Sequence, residues 1–304
     1  MGATLYALAP IFGLIVFGWG MKHIGFPGDA FWPALDRVVY YLMFPALIIH
    51  TLATSEVGDV SVLRFGGVAI TSVLAMTAVL LLVRRWLPVD GPGFTSFVQG
   101  GIRFNAYSGF AIAQTLYGVE ALALFSLVIA FVTPTANTVS VIALIRYGGG
   151  GRMRWRDVLV GVARNPIIVS IVVGLALNGF DIGLTWALEP FLKILASAAL
   201  PLGLLSVGVG LDFAAVRAAG GKVALACLIR LMGMPLVVIG VSRLFGIDGV
   251  AAIAILIYAT LPVSPVTYIQ ARQHGGDATL MASIVTGTLL GAFVTIPFWL
   301  AVAG

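Results

Sequence analysis

The sequence predicts an all-α polytopic membrane protein: ten transmembrane helices in two inverted five-helix repeats, with broken crossing helices at the fourth and ninth positions. The chain of 304 residues is 60% hydrophobic and 10% charged, with a mean hydropathy of +1.09, whereas a soluble domain carries about 25% charged residues. Similar residues recur half a chain apart. Two apolar segments are also interrupted by polar residues, glycines or prolines.

Ten apolar segments follow one another, each close to the roughly 20 residues that span a bilayer. They cover residues 4–21, 32–53, 62–83, 94–117, 120–145, 165–179, 187–211, 223–244, 249–273 and 278–303. No Lys or Arg precedes the first segment, so we interpret it as a retained helix rather than a signal peptide. Pro134 predicts a kink in the fifth segment, because proline removes a helical hydrogen bond.

The two halves of the chain repeat each other at a constant offset of 156 residues. The matching pairs are Pro10 with Pro166, Gly18 with Gly174, Arg37 with Lys193, and Pro45 with Pro201. Five spans per repeat is an odd number, so the halves must lie oppositely in the membrane, as in many transporters.

Basic residues predict the orientation. Loops after odd-numbered segments hold Lys22, Arg84, Arg85, Arg146, Arg152, Arg154, Arg156, Arg164, Arg217, Lys222 and Arg272. Loops after even-numbered segments hold only Arg64 and Arg243. Because positive loops stay in the cytoplasm, both termini are expected outside. The positive net charge is explained by these loops and indicates no nucleic-acid partner.

The fourth segment has a middle that a plain spanning helix would not have. Arg103, Asn105, Tyr107 and Ser108 crowd together and are followed by Gly109. Lipid satisfies neither a broken backbone nor a charge. This stretch is therefore expected to face protein or a water-filled cavity.

The ninth segment has a corresponding interruption. Pro262 and Pro265 lack an amide hydrogen and clash with the preceding turn, so a helix must open there. Interrupted segments at corresponding positions of two halves indicate the binding site of a secondary transporter.

Both segments resume after their interruptions, and helix N-termini carry partial positive charge that binds anions. Arg103 adds a fork suited to a carboxylate. The candidate substrate-binding residues are Arg103, Asn105, Tyr107, Ser108, Asn137, Ser264, Thr267 and Tyr268, and the helix-break residues are Gly109, Pro134, Pro262 and Pro265. For each hydroxyl, a hydrogen bond to its own or a neighbouring helix is the alternative. No catalytic residue, metal ligand or cofactor is predicted.

Arg230, Asp36 and Arg37 are further charges within apolar segments. Arg230 is midway along the eighth segment, where an arginine needs a partner, and the sequence identifies none. Asp36 and Arg37 lie one turn inside the second segment and are expected to reach the membrane interface.

At these residues the sequence resembles the auxin efflux carrier family, particularly its bacterial malonate-transporter-like members. The motifs are GGIRFNAYSGFA, TANTVSVIAL, ALPLGLLSVGVGL and LPVSPVTYIQARQHGGDATLMAS, in this order. The crossover prolines and asparagine of the family correspond to Pro262, Pro265 and Asn105. The first crossover departs from the family pattern because it has no proline.

The resemblance implies a scaffold of residues 1–60 and 157–214, a transport domain of residues 61–148 and 215–304, and a cytoplasmic linker, 149–156. It also implies elevator-like motion, a homodimer formed through scaffold helices, and a small organic anion such as a dicarboxylate as substrate. The expected location is the bacterial inner membrane, with the lipid bilayer as the surrounding partner.

Other functions remain as alternatives. A sodium-coupled bile-acid-type symporter shares the broken-helix plan, but no carboxylate lies in either break; the coupling ion is left open between proton and sodium. A channel is a remote alternative, since nothing resembles a repeated filter. An enzyme is not expected, because an intramembrane aspartyl protease needs two facing carboxylates and a serine protease needs a base within reach.

Overall fold

The computed structural model of the chain describes residues 2–54, 62–148 and 155–303, which form helices and their connections without a β-strand. The helices are α1 Gly2–His23, α2 Phe31–Val38, α3 Phe44–Thr54, α4 Val62–Val83, α5 Gly91–Ile102, α6 Ala106–Tyr147, α7 Trp155–Ala163, α8 Pro166–Gly179, α9 Leu188–Val209, α10 Phe213–Ala219, α11 Gly221–Leu228, α12 Met234–Leu244, α13 Gly249–Thr260, α14 Val266–Gln273 and α15 Ala278–Ala303. The predicted bounds of the third and tenth segments coincide with α4 and α15.

Two pairs of helices are joined by a π-helical turn. Val39–Met43 joins α2 to α3, and Ile229–Gly233 joins α11 to α12. Pro45 and Pro235 follow these turns. A proline has no amide hydrogen and its ring clashes with the carbonyl four residues earlier, and the wider π-turn is one way to accommodate this.

Six helical stretches within the described residues are long and apolar enough to cross a membrane. They are Phe31–Thr54, Leu63–Trp86, Gly91–Tyr147, Leu188–Val209, Gly221–Leu244 and Ala278–Val302, and Pro166–Gly179 and Gly249–Thr260 are shorter apolar helices. The count of ten membrane spans therefore stays a prediction. Gly91–Tyr147, at 57 residues, exceeds twice the length that one crossing needs.

The long helix α6 reverses direction at Gly118, where the backbone is non-helical with φ 74° and ψ −162°. A Cβ atom on Gly109 would lie 2.2 Å from the Phe125 ring, yet sixteen residues of straight helix extend about 24 Å. The contact therefore requires the chain to fold back between them. Glycine suits this position because other residues rarely adopt positive φ.

Two residues predicted as helix-break residues lie inside α6. Gly109 donates its amide to the Asn105 carbonyl at 3.3 Å, as a helical residue does, and Pro134 shows no departure from helical backbone angles. The helix therefore continues through Gly109, and the predicted kink at Pro134 stays a prediction. Gly109 instead permits close packing, because a side chain there would clash with Phe125 and Leu261.

Glycines also allow the closest helix contacts elsewhere. A Cβ atom on Gly18 of α1 would lie 2.1 Å from the Leu205 carbonyl oxygen of α9. A Cβ atom on Gly174 of α8 would lie 2.8 Å from the Leu52 Cβ atom of α3. Small residues at such contacts let helix backbones approach closely in membranes.

Several helices pack against more than one neighbour. α1 packs on α9, and α3 packs on α8 and α9. α6 packs on α4, α5 and α13, and α15 packs on α10, α11 and α14. The division into a scaffold and a transport domain stays a prediction, and the predicted linker, 149–156, lies outside the described residues apart from its last two.

Candidate functional site

The first interruption separates α5 from α6. Helix α5 ends at Ile102, and its capping residue Arg103 is extended, with φ −85° and ψ 154°. Helix α6 begins after Asn105, whose side-chain oxygen accepts hydrogen bonds from the amides of Tyr107 and Ser108 at 3.0 and 3.3 Å. Asparagine is among the best N-cap residues because it satisfies amides that lack a helical partner.

The second interruption separates α13 from α14. Helix α13 ends at Thr260, Leu261 is extended, and α14 starts after Pro265, which makes no side-chain cap. The Asn105 amide donates to the Pro262 carbonyl at 2.8 Å. The two interruptions therefore touch through a backbone hydrogen bond. We call this contact, with residues 103–105 and 261–265, the crossing.

A cavity of about 450 Å³ lies against one side of the crossing. Both interruptions contribute to its wall, together with α2, α6, α8, α9 and α14. The polar and charged side chains on its wall are Asp36, Arg37, Tyr40, Tyr41, Arg103, Asn105, Tyr107, Thr133, Asn137, Asn165, Ser206, Ser264 and Gln270. Its size falls in the range typical of small-molecule sites.

The charges in the cavity are distributed unevenly. The Arg103 guanidinium donates to the side-chain oxygen of Gln270, a neutral amide on α14. The Asp36 carboxylate accepts a hydrogen bond from the Ser206 hydroxyl, which links α2 to α9. Within the part of the chain that the structure describes, no ion pair joins Asp36 to Arg103. With Arg37 also on the wall, two cationic side chains face one carboxylate.

Aromatic rings form part of the wall. The Tyr107 ring, at the start of α6, stacks on the Phe44 ring of α3 with centroids 4.4 Å apart. A Cβ atom on Gly203 of α9 would lie 3.3 Å from the Tyr107 ring, so glycine leaves room for this stack. Tyr40 and Tyr41, whose rings meet edge to face at 5.1 Å, lie on the same wall.

The predicted site residues divide into two groups. Arg103, Asn105, Tyr107, Asn137, Ser264 and Pro265 line the cavity, whereas Ser108, Thr267, Tyr268, Gly109, Pro134 and Pro262 are not part of its wall. The Thr267 hydroxyl donates to the Ser264 carbonyl, which is the intrahelical alternative expected for such hydroxyls. The Ser108 hydroxyl is buried without a hydrogen-bond partner.

Eight polar or charged residues of the wall lie outside the predicted site: Asp36, Arg37, Tyr40, Tyr41, Thr133, Asn165, Ser206 and Gln270. Asp36 was expected at the membrane interface but lines the cavity, and Tyr40, Gln270 and Asn165 were not considered. A carboxylate inside an apolar segment is by itself a functional signal, so Asp36 was recognisable. Asn165 was recognisable only as the N-cap of α8, where its side chain accepts from the Ile167 amide at 3.0 Å.

No group of three or more His, Cys, Asp or Glu side chains suited to a metal ion occurs in the described ranges. The cavity offers charge and hydrogen bonds to a ligand: a guanidinium, amides, phenol groups and two helix N-termini lie at its wall.

The chain is similar in sequence to proteins described as transporters. The sequence model of a family described as "membrane transport protein" matches residues 153–300. The chain is 25% identical over 309 aligned residues to an uncharacterized transporter of Methanothermobacter thermautotrophicus, covering 98% of each chain. It is 23% identical to an uncharacterized transporter of Methanocaldococcus jannaschii, covering 94% of each chain.

Proposed function

We propose that the chain is a secondary carrier of small organic anions such as dicarboxylates, because residues 153–300 match the membrane transport protein family and the sequence resembles the auxin efflux carriers. The observation that carries the proposal is the cavity at the crossing. It combines Arg103, without a carboxylate partner among the described residues, with the N-terminal ends of α6 and α14.

The electrostatics favour an anion. Each helix N-terminus is equivalent to about half a positive charge, and the Arg103 guanidinium presents a planar fork that matches a carboxylate. Asn105 and Ser264 lie beside these groups and offer neutral hydrogen bonds. A dicarboxylate would place one carboxylate at Arg103 and leave the other for Arg37 or the phenol groups of Tyr40 and Tyr41.

Repeat symmetry supports the proposed ten-helix plan with two inverted halves. Gly18 and Gly174 correspond in the sequence repeat. Gly18 lies at the close contact of α1 with α9, and Gly174 lies at the close contact of α8 with α3. The 156-residue offset relates α1 to α8 and α3 to α9, so the repeat converts one helix pair into the other. α1, α3, α8 and α9 pack on one another, as a scaffold separate from the crossing would require. Elevator-like motion, and dimer formation through these helices, are further parts of the proposal.

With the orientation predicted from the basic loops, the cavity faces the cytoplasm. Asp36 lies near the start of the second segment, Asn165 near the start of the sixth, Ser206 near the end of the seventh and Gln270 near the end of the ninth. All four of these ends are cytoplasmic in that orientation. We therefore propose that the structure represents an inward-facing state, in a protein of the bacterial inner membrane.

Binding is tested by thermal unfolding of the purified protein with malonate, succinate, acetate, benzoate and indole acetate. A ligand at 100 times its Kd stabilises the folded state by about 2.7 kcal/mol. We expect one anion class to raise the Tm of the parent and of the control Arg272→Ala, which removes an exposed arginine on α14. Arg103→Ala should lose the shift. A shift that survives in Arg103→Ala, or none with any anion, would contradict the proposal.

Carrier action is tested in proteoliposomes loaded with the unlabelled anion. A carrier exchanges it for external labelled anion and accumulates the label transiently, whereas a channel only equilibrates. Label that never exceeds its equilibrium level would contradict the carrier proposal and favour a channel.

A further inference from the structure

Arg230 is buried without any exposed surface, and it is the only charged residue so buried among the described residues. It lies in the π-turn Ile229–Gly233 between α11 and α12. An arginine inside a membrane segment is costly unless its charge and its donors are satisfied. The hydrogen-bond partners of Arg230 therefore indicate its role.

The guanidinium donates to three backbone carbonyls in or next to the crossing. Nε donates to Leu261 at 2.8 Å, Nη1 to Gly101 at 3.1 Å and Nη2 to Tyr258 at 2.7 Å. Gly101 belongs to the last turn of α5, and Tyr258 and Leu261 to the end of α13. One side chain therefore joins the C-terminal ends of the two helices that lead into the crossing.

A neighbouring tyrosine completes the set. The Tyr258 hydroxyl donates to the Ile102 carbonyl at 3.0 Å, and its ring lies 5.3 Å from the Arg230 guanidinium carbon. The last four carbonyls of a helix have no intrahelical partner. The Gly101, Ile102 and Leu261 carbonyls have these side chains as their partners in an apolar interior, whereas the Tyr258 carbonyl also accepts from the Leu261 amide at 3.4 Å.

The charges also balance. Each helix C-terminus is equivalent to about half a negative charge, so two ends together match the single positive charge of a guanidinium. In secondary transporters, half-helix C-terminal ends and unwound carbonyls coordinate the coupling cation. We propose that Arg230 is a built-in cation of the crossing, a positioning residue that occupies the place a bound monovalent cation would take between the ends of α5 and α13.

Arginine suits this position better than lysine. Its planar fork presents donors in fixed directions, which lets one group reach carbonyls of two different helices. The π-turn that carries it is itself held in place: Pro235 cannot donate to the Leu231 carbonyl four residues earlier, and the Trp299 indole donates to that carbonyl at 2.7 Å.

The inference deepens the proposed function by addressing the coupling cation, and it rests on that function only in treating the crossing as a transport site. The test uses the Tm of the full-length purified protein without any anion, so it keeps its meaning if organic anions are not the substrate. The Tm is measured at equal ionic strength in sodium, potassium, choline and methylguanidinium chloride.

We expect the Tm of the parent to be the same in sodium, potassium and choline. Arg230→Ala should lower the Tm by about 5 °C or more, and methylguanidinium should recover part of the loss while choline does not. Methylguanidinium should act and choline should not, because methylguanidinium can take the place of the missing guanidinium at the carbonyls. Arg243→Ala, which removes an exposed arginine on α12, serves as the control and should show no cation-specific recovery.

A parent whose Tm rises in sodium relative to choline would overturn the proposal, because the position would then still bind an external cation. So would Arg230→Ala with the Tm of the parent, or with a loss that no cation reduces. If Arg230→Ala yields no folded protein, Arg230→Lys takes its place, with an intermediate Tm expected. For Arg230→Lys, the parent's Tm would overturn the proposal, because the three donors of an ammonium share one nitrogen and cannot replace the separate Nε, Nη1 and Nη2 positions.

Discussion

Two arginines near the crossing, Arg103 and Arg230, lie beside opposite kinds of helix end. Arg230 donates to carbonyls at the C-terminal ends of α5 and α13 and has no exposed surface. Arg103 lines the cavity that the N-terminal ends of α6 and α14 approach, and its partner is a neutral amide. One positive charge is therefore cancelled by helix ends, whereas the other adds to them.

The same residue type therefore serves the fold at one position and ligand binding at the other. A charge whose field is neutralised by the protein stabilises the fold and offers nothing to a ligand. A charge placed beside helix N-termini is not neutralised by the protein, and an arriving anion can supply the missing negative charge. Substitutions should separate the two roles.

The largest effect is expected from Arg230→Met compared with Arg103→Met. Methionine keeps much of the side-chain volume, so the change isolates the charge and its hydrogen bonds. Loss of one partner from a buried ionic network costs about 3–5 kcal/mol, and we expect Arg230→Met to destabilise the protein on this scale. Arg103→Met should cost less than about 1.5 kcal/mol, since one hydrogen bond is lost.

Reversible unfolding or matched thermal scans of both variants measure this contrast. Equal destabilisation by the two substitutions would contradict the assignment of Arg230 to the fold and Arg103 to the ligand.

A smaller effect on stability, with a large effect on binding, is expected from Asn105→Asp. Aspartate caps a helix about as well as asparagine, so the free energy of unfolding should change by less than about 1 kcal/mol. The new negative charge at the start of α6 should lower anion affinity by about tenfold or more, because it cancels the positive helix end.

Anion affinity from thermal shift titrations, at constant ionic strength, tests this. Asn105→Ser, which also caps helices well, is the matched neutral control and should keep most of the affinity. Unchanged affinity in Asn105→Asp would contradict an anionic ligand at this helix end.

The smallest effect on anion binding is expected from Tyr258→Phe, which removes the hydroxyl that donates to the Ile102 carbonyl. The loss of one hydrogen bond to a buried carbonyl costs about 1–3 kcal/mol. Anion affinity should be unchanged, because Tyr258 is not part of the cavity wall. The Tm and the thermal shift with anion measure the two quantities, and lost anion affinity would show that the two sides of the crossing are coupled.

The positions of the helices followed closely from the sequence, because long apolar runs have few alternatives to a helix in a bilayer. The third and tenth segments agree with α4 and α15 at both bounds. The reversal between the fourth and fifth segments, placed between residues 117 and 120, occurs at Gly118. Such features depend on neighbouring residues in the chain and on the chemistry of glycine and proline.

The composition of the site could be predicted only in part. Asn105 and Arg103 were recognisable because polar residues within an apolar segment indicate a cavity or a protein contact. Gln270 and Asp36 acquire their meaning from contacts with Arg103 and Ser206, which lie 167 and 170 residues away in the chain. Nothing in their own neighbourhood indicates those contacts.

The sequence alone was enough to predict a helical membrane protein with two interrupted segments and an arginine that needs a partner. These predictions follow from the cost of burying polar groups in hydrocarbon. Only the tertiary structure decided that the two interruptions meet at the Asn105–Pro262 hydrogen bond and that Arg230 joins two helix ends there. The physical reason is that backbone carbonyls are present at every residue, so a sequence cannot show which of them lack a partner until the helices have packed.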